Sequence, residues 1–372
     1  MITIKEIFSK KELKQFVTFP FSLYKNHKYW VPPIINDEIE SFNKKTNPVF
    51  EHADARYFLA YKGKTIVGRV CAIINWQEVN NQSIKKMRFG WFDVIDDIEV
   101  SRILIEKVKE IGYQNKLDFI EGPVGFSNLD KVGLITEGFD YIGTMVTWYN
   151  YPYYVDHLKK LGFLKEKGFL ESKFKMDYSG AKKYEKFSRI IKERYQLKSQ
   201  SYTSTKQILP HTDEMFDVFE KSYSKLSSFV PISQRQKDFF KKKYMSFINP
   251  EFIQFVFNKD DKMVGFAIMM PSFSEALQKA NGKLFPFGMF HLLKAKKHSK
   301  KVTSYLIGVD PEYQSKGVTA VIFHQYFQSF EKKGIDFVTR TPELEENVEI
   351  SQLWKVFDPT TYRKRSTFRL DI

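Results

Sequence analysis

The sequence of 372 residues contains a single cysteine, Cys71, so no intramolecular disulfide can form. This cysteine lies in an apolar segment, where a thiol is typically a packing group rather than a nucleophile. An unbroken apolar run of about 20 residues, the length that a transmembrane helix needs, is missing as well. Residues 1–13 are polar and rich in lysine, without the apolar stretch of a signal peptide. We therefore expect a cytoplasmic protein.

The seven histidines are distributed without the spacing of a metal site. His291 and His298, which lie near each other in the chain, are too far apart for one helical turn. The chain order of Ser, His and Asp residues also gives no assignment of a catalytic triad. We expect no bound metal.

Basic residues outnumber acidic residues by 59 to 44, which gives a formal net charge of +15. This excess favours anionic partners, and the phosphates of coenzyme A, a nucleic acid and an anionic membrane face are the alternatives. It also fits a lysine-rich surface whose role is solubility. The sequence contains no recognised nucleic-acid motif, so we expect no nucleic-acid partner and keep a basic nucleic-acid-binding protein as an alternative function.

The order hairpin, strand, helix, strand is predicted twice, about two hundred residues apart, which indicates a duplication at the scale of a domain. The first set covers residues 57–74, 87–94, 100–111 and 118–121, and the second covers residues 252–269, 303–309, 318–330 and 336–339. Val67-Gly68 and Val264-Gly265 fall at equivalent places in the two hairpins. A connecting helix is predicted over residues 179–194. We therefore predict two α/β lobes with mixed sheets, residues 1–178 and residues 179–372.

The strand that ends at Val309 is followed by a loop that turns directly into the helix beginning at Val318. Such a turn offers unpaired backbone N–H groups at the positive end of a helix dipole, which is a geometry that binds phosphate. Gly317 lets a ligand approach the backbone because it has no Cβ, and Lys316 adds a positive charge. The turn predicts a pyrophosphate site, with an ordinary strand-to-helix connection as the alternative.

The turn resembles the pyrophosphate-binding motif of the Gcn5-related N-acetyltransferases (GNATs), in which Gln or Arg is followed by two residues, Gly, one residue, and Gly or Ala. Gln314 and Gly317 match this motif, whereas Thr319 stands where the family has Gly or Ala. The resemblance implies a lobe that binds acetyl-CoA or a longer acyl-CoA as co-substrate and polarises its thioester carbonyl with a backbone N–H near residues 308–310. The implied contacts are Gly308, Val309, Gln314, Ser315, Lys316, Gly317, Val318, Thr319 and Asn347.

The family also places an aromatic hydroxyl on the helix that follows Asn347, where it protonates the leaving thiolate. Trp354 occupies this position here and cannot donate a proton in that way. Tyr362 is the substitute candidate. The missing donor and Thr319 together favour an alternative function, a GNAT-fold binding module without turnover.

The first half contains no comparable turn, since residues 94–99 include neither a glycine nor a basic residue. Its acidic side chains would repel phosphate, so we expect no coenzyme A there. Four glycines and a proline within residues 122–138 predict a shaped loop instead. Asp130, Glu137 and Asp140 are candidates for the general base or for binding an ammonium group, with turn capping and solvation as the alternative for each.

The stretch from residue 122 to residue 163 resembles a bacterial group of tandem GNAT-like proteins, some of them tied to sphingolipid synthesis. A member of that group acts as a ceramide synthase-like N-acyltransferase. This resemblance implies acyl transfer to an amine, either a small molecule or a lipid such as a long-chain amino alcohol. We therefore predict an acyl-CoA-dependent N-acyltransferase.

An apolar, aromatic segment over residues 284–293 is followed directly by Lys294, Lys296, Lys297, Lys300 and Lys301. This arrangement suits the interface of an anionic bilayer, because each basic residue near the surface contributes roughly 1 kcal/mol. The alternative is a buried helix followed by a solvated lysine-rich loop. Peripheral contact with the inner membrane face is thus one expectation.

Overall fold

The computed structural model describes residues 1–127, 129–226, 229–245 and 247–372. Its strands are β1 (Ile2–Glu6), β2 (Ala53–Lys62), β3 (Thr65–Asn75), β4 (Lys86–Val94), β5 (Phe119–Gly122), β6 (Leu134–Glu137), β7 (Leu164–Lys175), β8 (Lys198–Gln200), β9 (Ile253–Phe257), β10 (Met263–Pro271), β11 (Lys301–Val309), β12 (Phe337–Arg340), β13 (Glu343–Leu344) and β14 (Thr360–Asp371).

The helices are α1 (Lys10–Leu23), α2 (Ile35–Ser41), α3 (Trp76–Asn81), α4 (Ile98–Gln114), α5 (Tyr153–Lys160), α6 (Ala181–Tyr195), α7 (Thr205–Ile208), α8 (Thr212–Tyr223), α9 (Gln234–Tyr244), α10 (Ser274–Ala280), α11 (Gly288–His298), α12 (Val318–Lys333) and α13 (Val348–Trp354). The mixed α/β class predicted from the sequence is confirmed.

The predicted duplication is present in the structure. Hairpins β2–β3 and β9–β10 each lead to a strand, a long helix and a parallel strand, namely β4, α4 and β5 in the first half and β11, α12 and β12 in the second. A Cβ added to Gly68 would lie 2.7 Å from Val100 Cγ1, and one added to Gly265 would lie 2.6 Å from Val318 Cγ1. Each glycine therefore lets the long helix approach its hairpin, and the two positions are equivalent as predicted.

A single mixed sheet joins the two halves, with the strands in the order β1-β2-β3-β4-β5-β14-β7-β12-β11-β10-β9-β8 among the described residues. The C-terminal strand β14 pairs with β5, with Phe368 opposite Gly122. Strand β7, the last strand of the first half, pairs with β12, with Phe174 opposite Val338. Each half therefore supplies the strand that completes the sheet of the other. The division of the chain at residues 178 and 179 stays a prediction, and below it defines the first and second lobes.

Helices cover both faces of each half of the sheet. In the first lobe, α4 and α5 cover one face, and α1 covers the other around the fully buried Cys71, which is a packing residue as predicted. In the second lobe, α6, α12 and α13 cover one face, and α8 covers the other. The connecting helix predicted over residues 179–194 is confirmed as α6. None of the helices in the described ranges is long and apolar enough to cross a membrane.

Candidate active site

A wedge opens between β11 and β12 in the second lobe. The two strands pair in parallel from Lys301 opposite Phe337 to Ser304 opposite Arg340, after which β11 continues alone beside β10. A register shift in the pairing with β10 leaves Tyr305 without a partner residue at the start of the wedge.

The pairing of β11 with β10 fixes which backbone groups face this wedge. Gly308 lies opposite Phe266, and the Asp310 N–H donates to the Val264 carbonyl at 2.9 Å. Because alternate residues of an antiparallel strand bond to the same neighbour, the N–H groups of Ile307 and Val309 point away from β10 into the wedge. These donors can bind a carbonyl oxygen that enters between the strands.

The predicted pyrophosphate turn lies at the end of β11. Gln314 folds back and donates from Nε2 to the Val309 carbonyl at 3.3 Å, and Ser315 and Gly317 adopt left-handed conformations with φ of 64° and 78°. Gly317 is the residue before the first turn of α12, and within the described residues no side chain caps this helix. The first N–H groups of α12 are therefore open to an anion.

The charges around this turn favour an anion as well. Lys316 Nζ lies 4.6 Å from the ring centre of Tyr313, which holds its charge beside the turn. Lys221 reaches across from α8 and pairs with Asp310 at 3.0 Å. The first turn of α12 contains no acidic residue, so no negative side chain in that turn competes with a bound anion for the positive end of the helix dipole.

The corresponding helix of the first lobe, α4, is closed to anions. Asp97 caps it by accepting a hydrogen bond from the Glu99 N–H at 3.0 Å and pairs with Lys62 at 2.6 Å. The hydrogen bond from Lys62 lowers the pKa of Asp97, so the carboxylate stays charged at neutral pH. A phosphate at this helix would meet a fixed negative charge, as the sequence predicted.

The wedge of the first lobe is filled by the protein itself. Strands β4 and β5 pair only from Lys86 to Arg88, and the Val124 N–H then donates to the Phe89 carbonyl at 2.8 Å. Further along β4, the Tyr154 hydroxyl accepts from the Val94 N–H at 3.0 Å and contacts the Tyr24 hydroxyl at 2.8 Å. The N–H of Val94, which corresponds to Val309 because both residues pair with the glycine of their hairpin, is used internally here.

The loop after β5 packs on the α8 side of the second wedge, since Leu129 lies in the same apolar cluster as Tyr223 and Tyr305. Asp130, in the loop after β5, accepts hydrogen bonds from the Ser127 N–H at 2.9 Å and the Ser127 hydroxyl at 3.1 Å. Burial raises the pKa of Asp130, and the nearby charge of Lys243 opposes this shift only in part. Burial together with the charge of Asp130 raises the pKa of Tyr305 at the start of the wedge. The carboxyl of the first lobe thus lies in the electrostatic range of the second wedge.

A cavity of about 630 Å³ lies between α2 and α9, and its lining includes Lys243, whose charge acts on Asp130. Lys243 of α9 bridges the lobes through a 2.9 Å hydrogen bond to the Ser41 hydroxyl of α2. The lining combines acidic, basic and aromatic groups, namely Asp37, Glu40, Thr46, Pro48, Arg235, Asp238, Phe239, Lys242, Lys243 and Phe247. This volume lies within the range of about 300–1,000 Å³ found for small-molecule sites.

Comparison with solved structures identifies this architecture. A tandem GNAT protein from the clavulanic acid biosynthesis pathway matches with a TM-score of 0.59 and 8% identity, covering 100% of this chain and 98% of that chain. A GCN5-related glucosamine N-acetyltransferase region of a fungal multi-domain β-N-acetylglucosaminidase matches with a TM-score of 0.58 and 10% identity, covering 100% of this chain and 38% of that chain. This is the tandem GNAT fold.

Two bacterial proteins are similar to the tandem GNAT chain in sequence. Protein YghO of Escherichia coli (strain K12) is 25% identical over 381 residues, which cover 99% of this chain and 95% of that protein. The bacterial ceramide synthase of Caulobacter vibrioides (strain NA1000 / CB15N) is 24% identical over 314 residues, which cover 82% of this chain and 79% of that protein. No family model matches the sequence. The predicted resemblance to a bacterial tandem GNAT group is confirmed.

The remaining predicted residues of the GNAT site lie in different surroundings. Glu137 is exposed on β6 and pairs with Lys364 at 3.0 Å, and Asp140 is exposed in the following loop. Tyr362 donates to Glu171 at 2.9 Å, and burial raises the pKa of its hydroxyl. Asn347 caps α13 by accepting from the Ile350 N–H at 3.2 Å. The roles of these residues stay predictions. Of the three acidic candidates, Asp130 is half-buried and acts electrostatically on Tyr305, whereas the other two are exposed.

Sequence reasoning missed the tyrosines on the α8 face of the GNAT wedge. Tyr223, near the end of α8, donates to the Ile307 carbonyl at 3.1 Å, so its hydroxyl reaches the wedge. The side chains of Tyr305 and Leu306 pack on the α8 face, whereas that of Ile307 packs against α12. A tyrosine at the end of an amphipathic helix carries no local signal of such a position. The described residues include no group of histidine, cysteine and acidic side chains that could hold a metal ion.

Proposed function

We propose that this chain is an acyl-CoA-dependent N-acyltransferase whose second lobe holds the acyl-CoA. The observation that carries the proposal is the uncapped start of α12 beside the open wedge of β11. The open N–H groups of α12 suit a pyrophosphate, and those of Ile307 and Val309 suit a thioester carbonyl. The first lobe does not combine these two features in its described residues. The start of α4 is capped by Asp97, and the wedge beside β4 is filled by the protein itself.

The wedge is open to two faces of the sheet, and we assign one substrate to each. Acyl-CoA enters along α12, and the acceptor amine enters from the α8 face, where the loop that contains Asp130 packs. The cavity of about 630 Å³ is large enough for an amine with an apolar chain. Similarity to a bacterial ceramide synthase supports a long-chain amino alcohol as the acceptor, since ceramide is the N-acyl derivative of such an amine.

The reaction forms an amide C–N bond and breaks the thioester C–S bond. Asp130 takes the proton that the attacking amine loses, and its raised pKa makes it a stronger base than an exposed carboxylate. Tyr223 gives a proton to the departing thiolate. Burial raises the pKa of Tyr223, with the charge of Glu343 adding to the shift, so its hydroxyl is protonated at neutral pH. Most of the acceleration comes from positioning and from the backbone donors of β11.

The test measures amide formation by mass spectrometry from a panel of acyl-CoA chain lengths and amines. Asp130→Asn and Tyr223→Phe are each expected to lower kcat by about 10²–10⁴-fold with acyl-CoA affinity retained. Glu137→Gln and Asp140→Asn, which change exposed carboxyls of the same region, are expected to keep turnover.

Two outcomes would contradict the proposal. Full activity in Asp130→Asn would place the acceptor site elsewhere. Coenzyme A binding without amide formation from any donor and amine would favour the binding module without turnover, in agreement with Trp354 at the position of the usual proton donor.

A further inference from the structure

An apolar tip projects from the second lobe just before α11. Phe285 is 82% exposed, Phe287 71%, Phe290 64% and Leu293 57%. These four side chains and Met289 lie within nine positions of each other, whereas the other large exposed apolar side chains of the described residues are scattered along the chain. Isolated exposed apolar residues are ordinary, but a contiguous group marks an interaction surface.

The tip is held in place by a buried anchor. Gly288, Leu292 and Ala295 lie on the inner face of α11, and Leu292 packs with Phe273 and Leu277. Phe290 and Leu293 lie on the outer face, so they are exposed although the helix is docked. The buried-helix alternative considered for this segment thus fits the inner face only.

Along the chain, the charge around the tip has one sign, and Lys301 at its end pairs with Glu275 of α10 at 3.2 Å. Between Glu275 and Asp310 the chain contains no acidic residue, and it contains seven lysines, Lys279, Lys283, Lys294, Lys296, Lys297, Lys300 and Lys301. Lys294 and Lys297 are exposed on the outer face of α11, following Phe290 and Leu293. Apolar side chains followed by cations match the layers of a membrane, in which an apolar interior lies beneath a surface of anionic groups.

The spacing along α11 fits a bilayer. At 1.5 Å per residue, Lys294 lies about 6 Å and Lys297 about 10 Å along the helix from Phe290. Interfacial apolar groups enter a membrane to a depth of about 5–10 Å. An aromatic tip inserted to that depth brings both lysines to the level of the lipid phosphates.

We propose that residues 284–297 dock the protein reversibly on an anionic lipid bilayer. Charge complementarity decides for a bilayer over a second copy of the chain, because two cationic tips repel each other. The tip also adjoins the cavity, since Phe247 lines the cavity and packs in the cluster that contains Leu284 and Leu292. Docking therefore places the cavity next to the membrane surface. The proposal goes beyond acyl transfer and does not depend on it.

The test is flotation of the full chain with vesicles of phosphatidylcholine mixed with phosphatidylglycerol, and with vesicles of phosphatidylcholine alone. The wild-type protein is expected to float with the mixed vesicles and to be released by salt. Exchanging Phe285, Phe287 and Phe290 together for serine is expected to weaken binding at least tenfold. Lys294→Gln with Lys297→Gln is expected to weaken it about 25-fold, since each lysine near the surface is worth about a factor of five.

Matched controls alter equally exposed residues far from the tip. Phe8→Ser removes an aromatic ring that is 84% exposed, and Lys182→Gln with Lys183→Gln removes two cations from α6. Both are expected to bind as the wild type does. Acylation of a short, water-soluble amine separates this proposal from acyl transfer, because the tip variants should keep that activity.

Three results would overturn the proposal. One is a wild-type protein that does not float with the mixed vesicles, and another is unchanged flotation of the triple serine variant. The third is dimerisation of the wild type in light scattering that the triple variant abolishes, which would make the tip a contact between copies of the chain.

Discussion

Thr319 offers the sharpest test of the predicted pyrophosphate site. It is the second residue of α12, where the GNAT motif has Gly or Ala. A glutamate at this position brings a carboxylate to the helix start without changing the core, since Val318 and Val321 point into the sheet and Thr319 is only half-buried. The helix itself should be stabilised by about 0.3–1 kcal/mol, because a negative side chain at a helix N-terminus interacts favourably with the helix dipole.

The effect on ligand binding has the opposite sign. Two unit charges about 5 Å apart interact by about 3 kcal/mol at the effective dielectric constant of about 20 that suits protein surfaces. A pyrophosphate at this turn would be repelled by that amount, which corresponds to roughly a hundredfold loss of coenzyme A affinity. Thr319→Glu is thus expected to bind coenzyme A far more weakly while unfolding at the same or a higher temperature.

Thr319→Gln is the matched control, because it has the same shape as glutamate without the charge. Calorimetric titration with coenzyme A should show glutamine much closer to the wild type than glutamate, and the gap between the two variants should shrink as salt is added. Equal affinities for the glutamate and glutamine variants would show that no phosphate lies at this turn. The site assignment would then be abandoned.

Further predictions concern stability and pH. Gly317→Ala is expected to lower the free energy of unfolding by more than about 1 kcal/mol, because φ is 78° and the new Cβ would lie 2.8 Å from Ile191 Cδ1; chemical denaturation measures this. Burial raises the pKa of Glu78, but the charge of Arg88 and their hydrogen bonds outweigh it and lower the pKa to about 2. The ion pair of Glu78 with Arg88 therefore stabilises the fold above pH 4.5, and this contribution is lost as the pH falls through about 2. Glu78→Gln should lower the free energy of unfolding by about 3–5 kcal/mol at neutral pH. Because burial raises the pKa of Asp130, acyl transfer should rise with pH through a carboxyl that titrates above the usual Asp value, and a pH–rate profile of Asp130→Asn should lack that limb.

Local patterns predicted the elements that depend on local interactions. The connecting helix predicted over residues 179–194 forms as α6, and the glycine of each hairpin marks where a helix crosses. The pyrophosphate turn could be predicted for the same reason, because its residues are contiguous between Val309 and Thr319. A strand, a left-handed glycine and an uncapped helix each leave a signal in the sequence.

Nonlocal contacts left no such signal. Strand β14 has the composition of a strand, but nothing in it indicates that it pairs with β5, more than two hundred residues earlier. Likewise, Asp130 comes within electrostatic range of Tyr305 only because the sheet brings the two lobes together. The acceptor side of the site is assembled from such pairs, which is why the three acidic candidates could not be separated before the structure was known.

The exchange of strands β7 and β14 also determines when this protein can fold. Strand β14 spans 12 residues, so the edge of β5 has no partner until residues 360–371 have been synthesised. The N-terminal lobe cannot complete its sheet before β14 has been synthesised, unlike a domain that folds as it emerges. A chain that terminates a few codons early would carry an open edge in the middle of both lobes, a template for aggregation. The two lobes therefore complete their shared sheet only once β14 is available.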